Sequence, residues 1–162
     1  MLYTASVPKT MHWRTVPNTV IVSVNTDVAP SDEEWDEYLE EVTQIVHDIK
    51  GVLVYTPSVG PTAAQRARSN EAFKASKAQV KTSIMTGSRM VRGIVTALSW
   101  AITDKIKAFP TEDFNSAAEF LELTDEEKLR TRVVLKQLAR AANVTVDAFA
   151  DESGQFRRKY GD

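Results

Sequence analysis

Short β-branched runs alternate with capped helical segments through the middle of the chain, and this alternation constrains the fold more than any other feature. Residues 52–56, 80–85 and 105–109 are apolar runs of strand length. Helices are predicted between them, over residues 62–78 and 88–102. A strand, a helix and a further strand in succession require a crossover, which runs right-handed and makes the neighbouring strands parallel. The sequence therefore predicts a mainly parallel sheet.

The N-terminal part of the chain carries a hairpin signal followed by the clearest helix signal. Two β-prone runs, 11–14 and 19–24, flank a Pro-Asn pair that favours a turn, which predicts an antiparallel hairpin. Ser31 then predicts a helix start, because its hydroxyl can accept from the Glu34 amide while the Glu34 carboxylate reaches back. The helix that follows presents an apolar stripe of Trp35, Tyr38, Leu39, Val42, Ile45, Val46 and Ile49.

The C-terminal part adds two helices. A short helix is predicted over 111–121, and Thr124 opens a capping-box pattern that predicts a helix over 124–142. Residues 143–162 are expected to form a polar, loosely ordered tail. Residues 1–142 are predicted to form one α/β domain, with a mainly parallel sheet of four to five strands, an N-terminal antiparallel hairpin, helices packed on the sheet and an extra C-terminal helix.

The amino-acid composition excludes several kinds of functional site. There is no cysteine, which excludes disulfides, thiolate nucleophiles and thiolate metal sites. The opening residues lack the pattern of a secretory signal, and the longest nearly apolar stretch, 93–102, is about half the length that crosses a bilayer. We therefore expect a cytoplasmic protein with no transmembrane segment.

Charge is distributed unevenly although the net charge is only −2. Residues 31–50 hold eight acidic residues and one lysine, whereas residues 61–92 hold seven basic residues and one glutamate. The first segment repels anions and the second attracts them. The acidic side chains lie opposite the apolar stripe of their helix, so we expect them to be solvated and to lack the burial that adjusts a catalytic carboxylate.

Motifs for catalysis, cofactors and nucleic acid are not found. The sequence holds no Gly-x-Ser-x-Gly elbow, phosphate-binding loop or dinucleotide fingerprint, so we expect no enzyme and no cofactor. His12 and His47 have no second ligand at strand or helix spacing, which speaks against a metal site. The basic segment lacks interleaved aromatic residues apart from Phe73, so no nucleic-acid partner is expected.

The carboxyl edge of the parallel strands is the candidate site, because ligands bind there in open α/β sheets. Two loops, 57–62 and 86–88, are predicted to meet at this edge, each before a helix whose first amides and dipole favour an anion. A phosphate, a phospholipid headgroup or an acidic protein surface could bind there. The opposing interpretation is that Thr62 and Ser88 only cap helices and the arginines are solvated. The candidate residues are Ser58, Gly60, Thr62, Arg66, Arg68, Thr86, Gly87, Ser88, Arg89 and Arg92.

Four stretches resemble the bacterial STAS superfamily, in the branch of SpoIIAA-like domains. They are Gly-Val-Leu-Val-Tyr at 51–55, the strand 80–85 leading into Ser-Arg-Met-Val-Arg-Gly at 88–93, the strand 105–109, and Ala-Ala-Glu-Phe-Leu at 117–121. The similarity covers about residues 10–122. It implies a regulatory domain that binds another protein.

The resemblance also implies a place for a phosphorylation switch. Some members are switched by phosphorylation of a serine that follows the central strand, which places Ser58 at that position. The family signature there is an aspartate, two serines and a glycine, whereas this chain has Thr56-Pro57-Ser58-Val59-Gly60. A phosphate on Ser58 would lie at a helix start, where the dipole and basic neighbours stabilise it.

Three functional hypotheses follow from the sequence. The first is a regulatory domain that binds a protein partner of unknown identity through residues 57–68 and 86–92. The second is a carrier or sensor of a small anionic or lipid ligand. The third is a scaffold that self-associates through its acidic and basic segments, and a homodimer is also left open by the extra helix over 124–142.

Overall fold

The computed structural model describes residues 8–77, 80–101 and 105–146. Within these ranges, five strands and five helices follow one another in the predicted order. The strands are β1 (Met11–Val16), β2 (Val20–Asn25), β3 (Gly51–Tyr55), β4 (Lys81–Met85) and β5 (Ile106–Phe109). The helices are α1 (Asp32–Ile45), α2 (Ala63–Ser76), α3 (Arg89–Ala101), α4 (Phe114–Phe120) and α5 (Asp125–Ala141). None of the helices in these three ranges is both long and apolar enough to cross a bilayer.

The strands form one sheet in sequence order, β1-β2-β3-β4-β5. β1 and β2 pair antiparallel, and the other neighbours are parallel. Within the parallel part, Val54 lies beside Ile84, and Ile84 lies beside Ala108. The α/β fold with a parallel sheet and an N-terminal hairpin is therefore confirmed, and the three central segments lie side by side in one direction.

The hairpin is longer than the sequence predicted. β1 extends to Val16, two residues beyond the predicted end, because the turn is compact: the Thr19 amide donates to the Val16 carbonyl at 3.0 Å. Asn18 has a positive φ of 56°, a conformation that asparagine adopts more readily than most residues. The Thr19 hydroxyl adds a bond of 3.0 Å to the Pro17 carbonyl.

The first face of the sheet is covered by α1. Its predicted apolar stripe is confirmed, since Trp35, Tyr38, Leu39 and Val42 are buried. They form one cluster with Ile21 of β2 and Val52 of β3, and Phe73 of α2 packs against that cluster. Because side chains alternate along each strand, Ile21 and Val52 point to the α1 side of the sheet.

The second face is covered by α4 and α5. Leu53, Tyr55 and Met85 point to this side and pack with Phe114 of α4 and Leu135 of α5. The buried Ser83 hydroxyl donates to the Ala117 carbonyl at 2.7 Å, which fixes α4 against β4. Gly51 allows a close approach here, because a β-carbon on it would lie 2.6 Å from Leu121 Cδ2.

The packed part of the chain continues beyond the predicted boundary at residue 142. Val144 and Val146 pack against the cluster on the second face. The Val144 amide donates to the Ala139 carbonyl at 2.9 Å, and the Tyr55 hydroxyl donates to the Thr145 carbonyl at 3.3 Å. The remainder of the predicted tail, 147–162, lies outside the described residues.

Candidate functional site

The two loops at the carboxyl edge of the sheet lie side by side. Main-chain pairing continues past the strands, with the Thr56 amide donating to the Met85 carbonyl and the Thr86 amide to the Phe109 carbonyl, each at 2.9 Å. A β-carbon on Gly87 would lie 3.5 Å from the Pro57 carbonyl oxygen. We refer to residues 57–68 and 86–92, which include both loops and the helix starts that follow, as the rim.

At the start of α2, the main-chain amides of Thr62 and Gln65 already donate hydrogen bonds within the protein. The Thr62 hydroxyl accepts from the Gln65 amide at 3.2 Å, and the Gln65 side chain accepts from the Thr62 amide at 3.0 Å. This complete capping box was predicted from the sequence. An anion at this helix start would have to compete with the Thr62 hydroxyl for the Gln65 amide.

The start of α3 is held in a similar way. Thr86 is buried, and its hydroxyl accepts from the Ser88 amide at 3.1 Å. The Ser88 hydroxyl then accepts from the Val91 amide at 3.3 Å, as the predicted cap requires. Thr86 and Ser88 therefore determine the shape of this turn, and Gly87 is exposed between them.

The four arginines of the rim have different environments. Arg66 donates to the Pro61 carbonyl at 2.8 Å, so it stabilises the loop before its own helix. Arg68 points to α1, where it pairs with Asp36 at 2.6 Å and with Asp32 at 3.6 Å. Arg89 and Arg92 are exposed on α3. The exposed arginines of the rim therefore lie on α3.

An exposed methionine, Met90, follows Arg89 in the first turn of α3, and the sequence analysis missed it. Met90 is 75% exposed, the most exposed of the large apolar side chains in the described part of the chain. Its position off the stripe formed by Val91, Ile94 and Val95 was the available signal, since an apolar residue off the buried stripe of a helix faces solvent. Methionine and arginine are both enriched in protein interfaces.

Ser58 is exposed at the tip of the loop between β3 and α2. The loop is held below it by a hydrogen bond from the buried Thr56 hydroxyl to the Val59 carbonyl. On its α3 side, Gly60 lies against Val91, where a β-carbon on the glycine would lie 3.6 Å from Val91 Cγ2. A modifying enzyme could therefore reach Ser58 without unfolding the loop.

A groove in the surface lies alongside β5, the last strand of the sheet. Its volume is about 430 Å³, and it is open to solvent. It is lined by Arg92, Val95 and Thr96 of α3, by residues 106–108 of β5 and by Phe120 of α4. We call this feature the β5 groove.

The carboxylates with shifted pKa values have structural partners. Burial opposes ionisation of Glu34, but hydrogen bonds from Thr10, Met11 and Ser31 outweigh it and lower its pKa. The Lys50 ammonium, at 2.6 Å, lowers the pKa of Glu127, with help from the Thr124 amide. These groups join one element to another and do not face the rim.

Histidines and acidic residues do not form a metal centre in the residues that the structure describes, where no group of three potential ligands is found. Burial and the nearby Lys9 lower the pKa of His12, with Glu34 opposing this effect. His47 is exposed after the end of α1.

Comparison of the chain with protein-family models, with curated proteins and with solved structures gives no match.

Proposed function

We propose that the chain is a regulatory domain of the STAS type that has no catalytic activity and binds an acidic protein partner through the rim, in the cytoplasm. The observation that carries the proposal is Met90, 75% exposed in the first turn of α3, the turn that also carries the exposed Arg89 and Arg92. An exposed apolar side chain and two exposed cations at one helix start can provide contact area and charge complementarity to an acidic partner.

The architecture supports the proposal in a second way. The strands and helices follow the order predicted from the sequence, and the loop after the central strand presents Ser58 to solvent. The resemblance is a matter of a few short stretches, so the experiments below are directed at the rim itself. Fold alone does not determine function.

The rim is tested by a double variant, Arg89→Glu with Met90→Asp. The tagged chain is cross-linked in its native cells, and its partners are identified by mass spectrometry. We expect the principal partner of the wild-type chain to be lost from the variant. Binding of that partner to purified wild-type and variant chains then gives the change in affinity.

The matched control is Leu129→Asp with Arg130→Glu on α5. Leu129 is 60% exposed and Arg130 is exposed, so the control removes the same chemistry from a different helix. We expect it to retain the partner. Equal partner lists for both double variants and the wild type would contradict the proposal.

Phosphorylation of Ser58 is part of the proposal. The phosphate would add close to two negative charges to the rim and would repel an acidic partner. Intact-mass measurement of protein purified from its native cells should show a phosphorylated fraction that Ser58→Ala removes. Absence of that fraction under all growth conditions would reject the switch while leaving the rim proposal testable.

The carrier hypothesis is tested separately. The carrier hypothesis places the ligand at the starts of α2 and α3, where the Gln65 and Val91 amides already donate to the Thr62 and Ser88 hydroxyls. Native mass spectrometry of freshly purified protein should therefore show the mass of the chain without a bound small anion or lipid. A stoichiometric adduct would favour a carrier.

Self-association through charge is also less favoured. Arg68 of the basic segment is already paired with Asp32 and Asp36 of the acidic segment within one molecule. Any oligomer held by the remaining charges should dissociate as salt screens them. Sedimentation at low and high salt measures this effect.

A further inference from the structure

We propose that the open edge of β5 binds an extended, acidic peptide segment of a partner protein, which adds to the sheet as a sixth strand. This surface differs from the rim, although Arg92 borders both. The proposal does not depend on the rim having a partner.

The main chain of β5 offers hydrogen bonds on its outer side. The Thr82 amide donates to the Lys105 carbonyl at 2.7 Å and the Thr86 amide to the Phe109 carbonyl at 2.9 Å. Successive residues of a strand direct their main-chain groups to opposite sides. The amides and carbonyls of Ile106 and Ala108 therefore point away from β4, and no hydrogen bond to them is found within the described part of the chain.

The β5 groove follows this edge. Ile106, Lys107 and Ala108 all line it, although consecutive side chains of a strand point to opposite faces of the sheet. The groove must therefore run along the strand edge, with Val95 of α3 on one side and Phe120 of α4 on the other. An added strand would bond to the main chain between two apolar walls, which is how β-strand addition is built in peptide-binding domains.

Charge determines which occupant fits. Arg92 and Lys107 are exposed in the groove, and none of its described lining residues is acidic. A second copy of this chain paired through β5 would bring two copies of Lys107 and Arg92 together, and like charges across a strand pair are destabilising. An extended peptide whose acidic and apolar side chains alternate presents its acidic side chains to one face of the sheet, beside Arg92, and its apolar side chains to the other face, beside Phe120.

A synthetic peptide tests the proposal on the complete chain. The probe is a capped, fluorescently labelled peptide of about eight residues in which valine alternates with glutamate, long enough to extend past β5 at both ends. We expect saturable binding in fluorescence anisotropy, with hydrogen-exchange protection appearing at Ile106 and Ala108. A peptide in which lysine replaces glutamate should not bind.

Modified peptides separate strand pairing from charge attraction. N-methylation of alternate amides removes the donors on one edge of the peptide and leaves its charge unchanged, so one of the two N-methylated registers should lose binding. This control leaves the protein unaltered. Equal binding of the parent peptide and both N-methylated peptides would overturn the proposal.

Two protein variants locate the site. Ala108→Pro removes the outward amide without removing a bond to β4, and we expect saturable binding to be lost. Arg92→Glu should weaken binding by about tenfold, the effect expected for reversing one interfacial charge. Arg130→Glu, a matched reversal on α5, should leave the affinity unchanged. Unaltered binding to Arg92→Glu would overturn the proposal even where Ala108→Pro fails to fold.

The last test of the proposal is amide hydrogen exchange of the chain without peptide. We expect the Ile106 and Ala108 amides to exchange rapidly in the unliganded chain. Strong protection would mean that the edge is already paired, by residues 147–162 or by a second copy, and would overturn the proposal. The rim is tested with Met90→Asp and Arg89→Glu, neither of which lines the β5 groove, so failure of one proposal is distinguishable from failure of the other.

Discussion

The two edges of the sheet are built differently. Beside β1, Trp13 donates to the Glu41 carboxylate at 2.5 Å, and Arg14 hydrogen-bonds Gln137 of α5. Thr10, just before the strand, is held by the Glu34 carboxylate at 2.9 Å. Residues from α1 and α5 thus hold this edge from both faces of the sheet.

The β5 edge is lightly packed by comparison. The strand has four residues, of which Ile106 and Ala108 are half-buried and Lys107 is exposed, whereas all six residues of β2 are buried. Apolar burial is the main favourable term in folding. The comparison teaches that the inner strand of the hairpin is fully packed, whereas the β5 edge has one buried residue, Phe109.

The largest expected effect on the free energy of unfolding comes from shortening one isoleucine to alanine, in the hairpin or in β5. Ile21 of β2 is fully buried, so Ile21→Ala should destabilise the chain by about 2–5 kcal/mol. Ile106→Ala, at a half-buried position, should cost roughly 1 kcal/mol. Denaturant unfolding measures both. Equal losses would break the contrast between the two sides.

A pair of glycines gives the next effect. In Gly51→Ala, the new methyl group would lie 2.7 Å from the Lys81 carbonyl oxygen, and that main-chain atom cannot move without shifting β4. We expect a loss of about 1–3 kcal/mol in unfolding free energy. The control is Gly93→Ala on the exposed side of α3, where nothing lies within 4 Å, and a gain of up to about 1 kcal/mol is expected. A neutral Gly51→Ala would show that α4 packs less closely than described.

Glu34 tests how the N-terminal edge is held. Glu34→Gln should lower stability at neutral pH by about 1–2 kcal/mol, because a charged acceptor for Thr10 and Met11 is lost. The pKa of Glu34 is lowered from 4.5, so its contribution is complete well above pH 4.5 and decreases as the pH falls through that value towards the folded-state pKa.

Urea unfolding from pH 7 to pH 3 measures this pH dependence, and the difference between wild type and Glu34→Gln should shrink on the acid side. Glu37→Gln, an exposed change on the same helix, is the control and should be neutral. A difference that stays constant with pH would show that the carboxylate does not hold β1 by its charge.

The smallest effect is expected at Arg68. Its pairs with Asp32 and Asp36 are partly exposed, and such pairs contribute about 0–1 kcal/mol. Arg68→Ala should therefore cost less than about 1 kcal/mol, and the cost should decrease at high salt. Arg89→Ala should be neutral for stability. Thermal unfolding at two salt concentrations compares them, and a larger effect of Arg89→Ala would mean that Arg89 is engaged in folding.

Local signals predicted most of the fold. Thr62 and Thr124 each begin a capping box whose partners lie three residues away, and both boxes form. The parallel strands followed from their composition and from the helices between them. These features depend on neighbours in sequence, so they could be derived without knowledge of the tertiary structure.

Long-range partners caused the departures from prediction. Glu34 was expected to reach back at its own helix start, but its carboxylate accepts from the Thr10 amide and hydroxyl as well as from the Ser31 hydroxyl. Arg68 was predicted to belong to the rim. It pairs instead with Asp36 and Asp32 of α1, which precede it by 32 and 36 residues in the sequence. Such choices depend on which elements become neighbours, and no local pattern encodes them.

Gln65 connects the rim to the start of α1. Besides closing the α2 capping box, its buried amide donates to the Pro30 carbonyl at 2.8 Å and to Asp32 at 3.0 Å. The Trp35 indole completes the connection by donating to the Gln65 carbonyl at 3.1 Å. These bonds connect the starts of α1 and α2, so we expect the loop before α2 to lose little conformational entropy if a partner binds there.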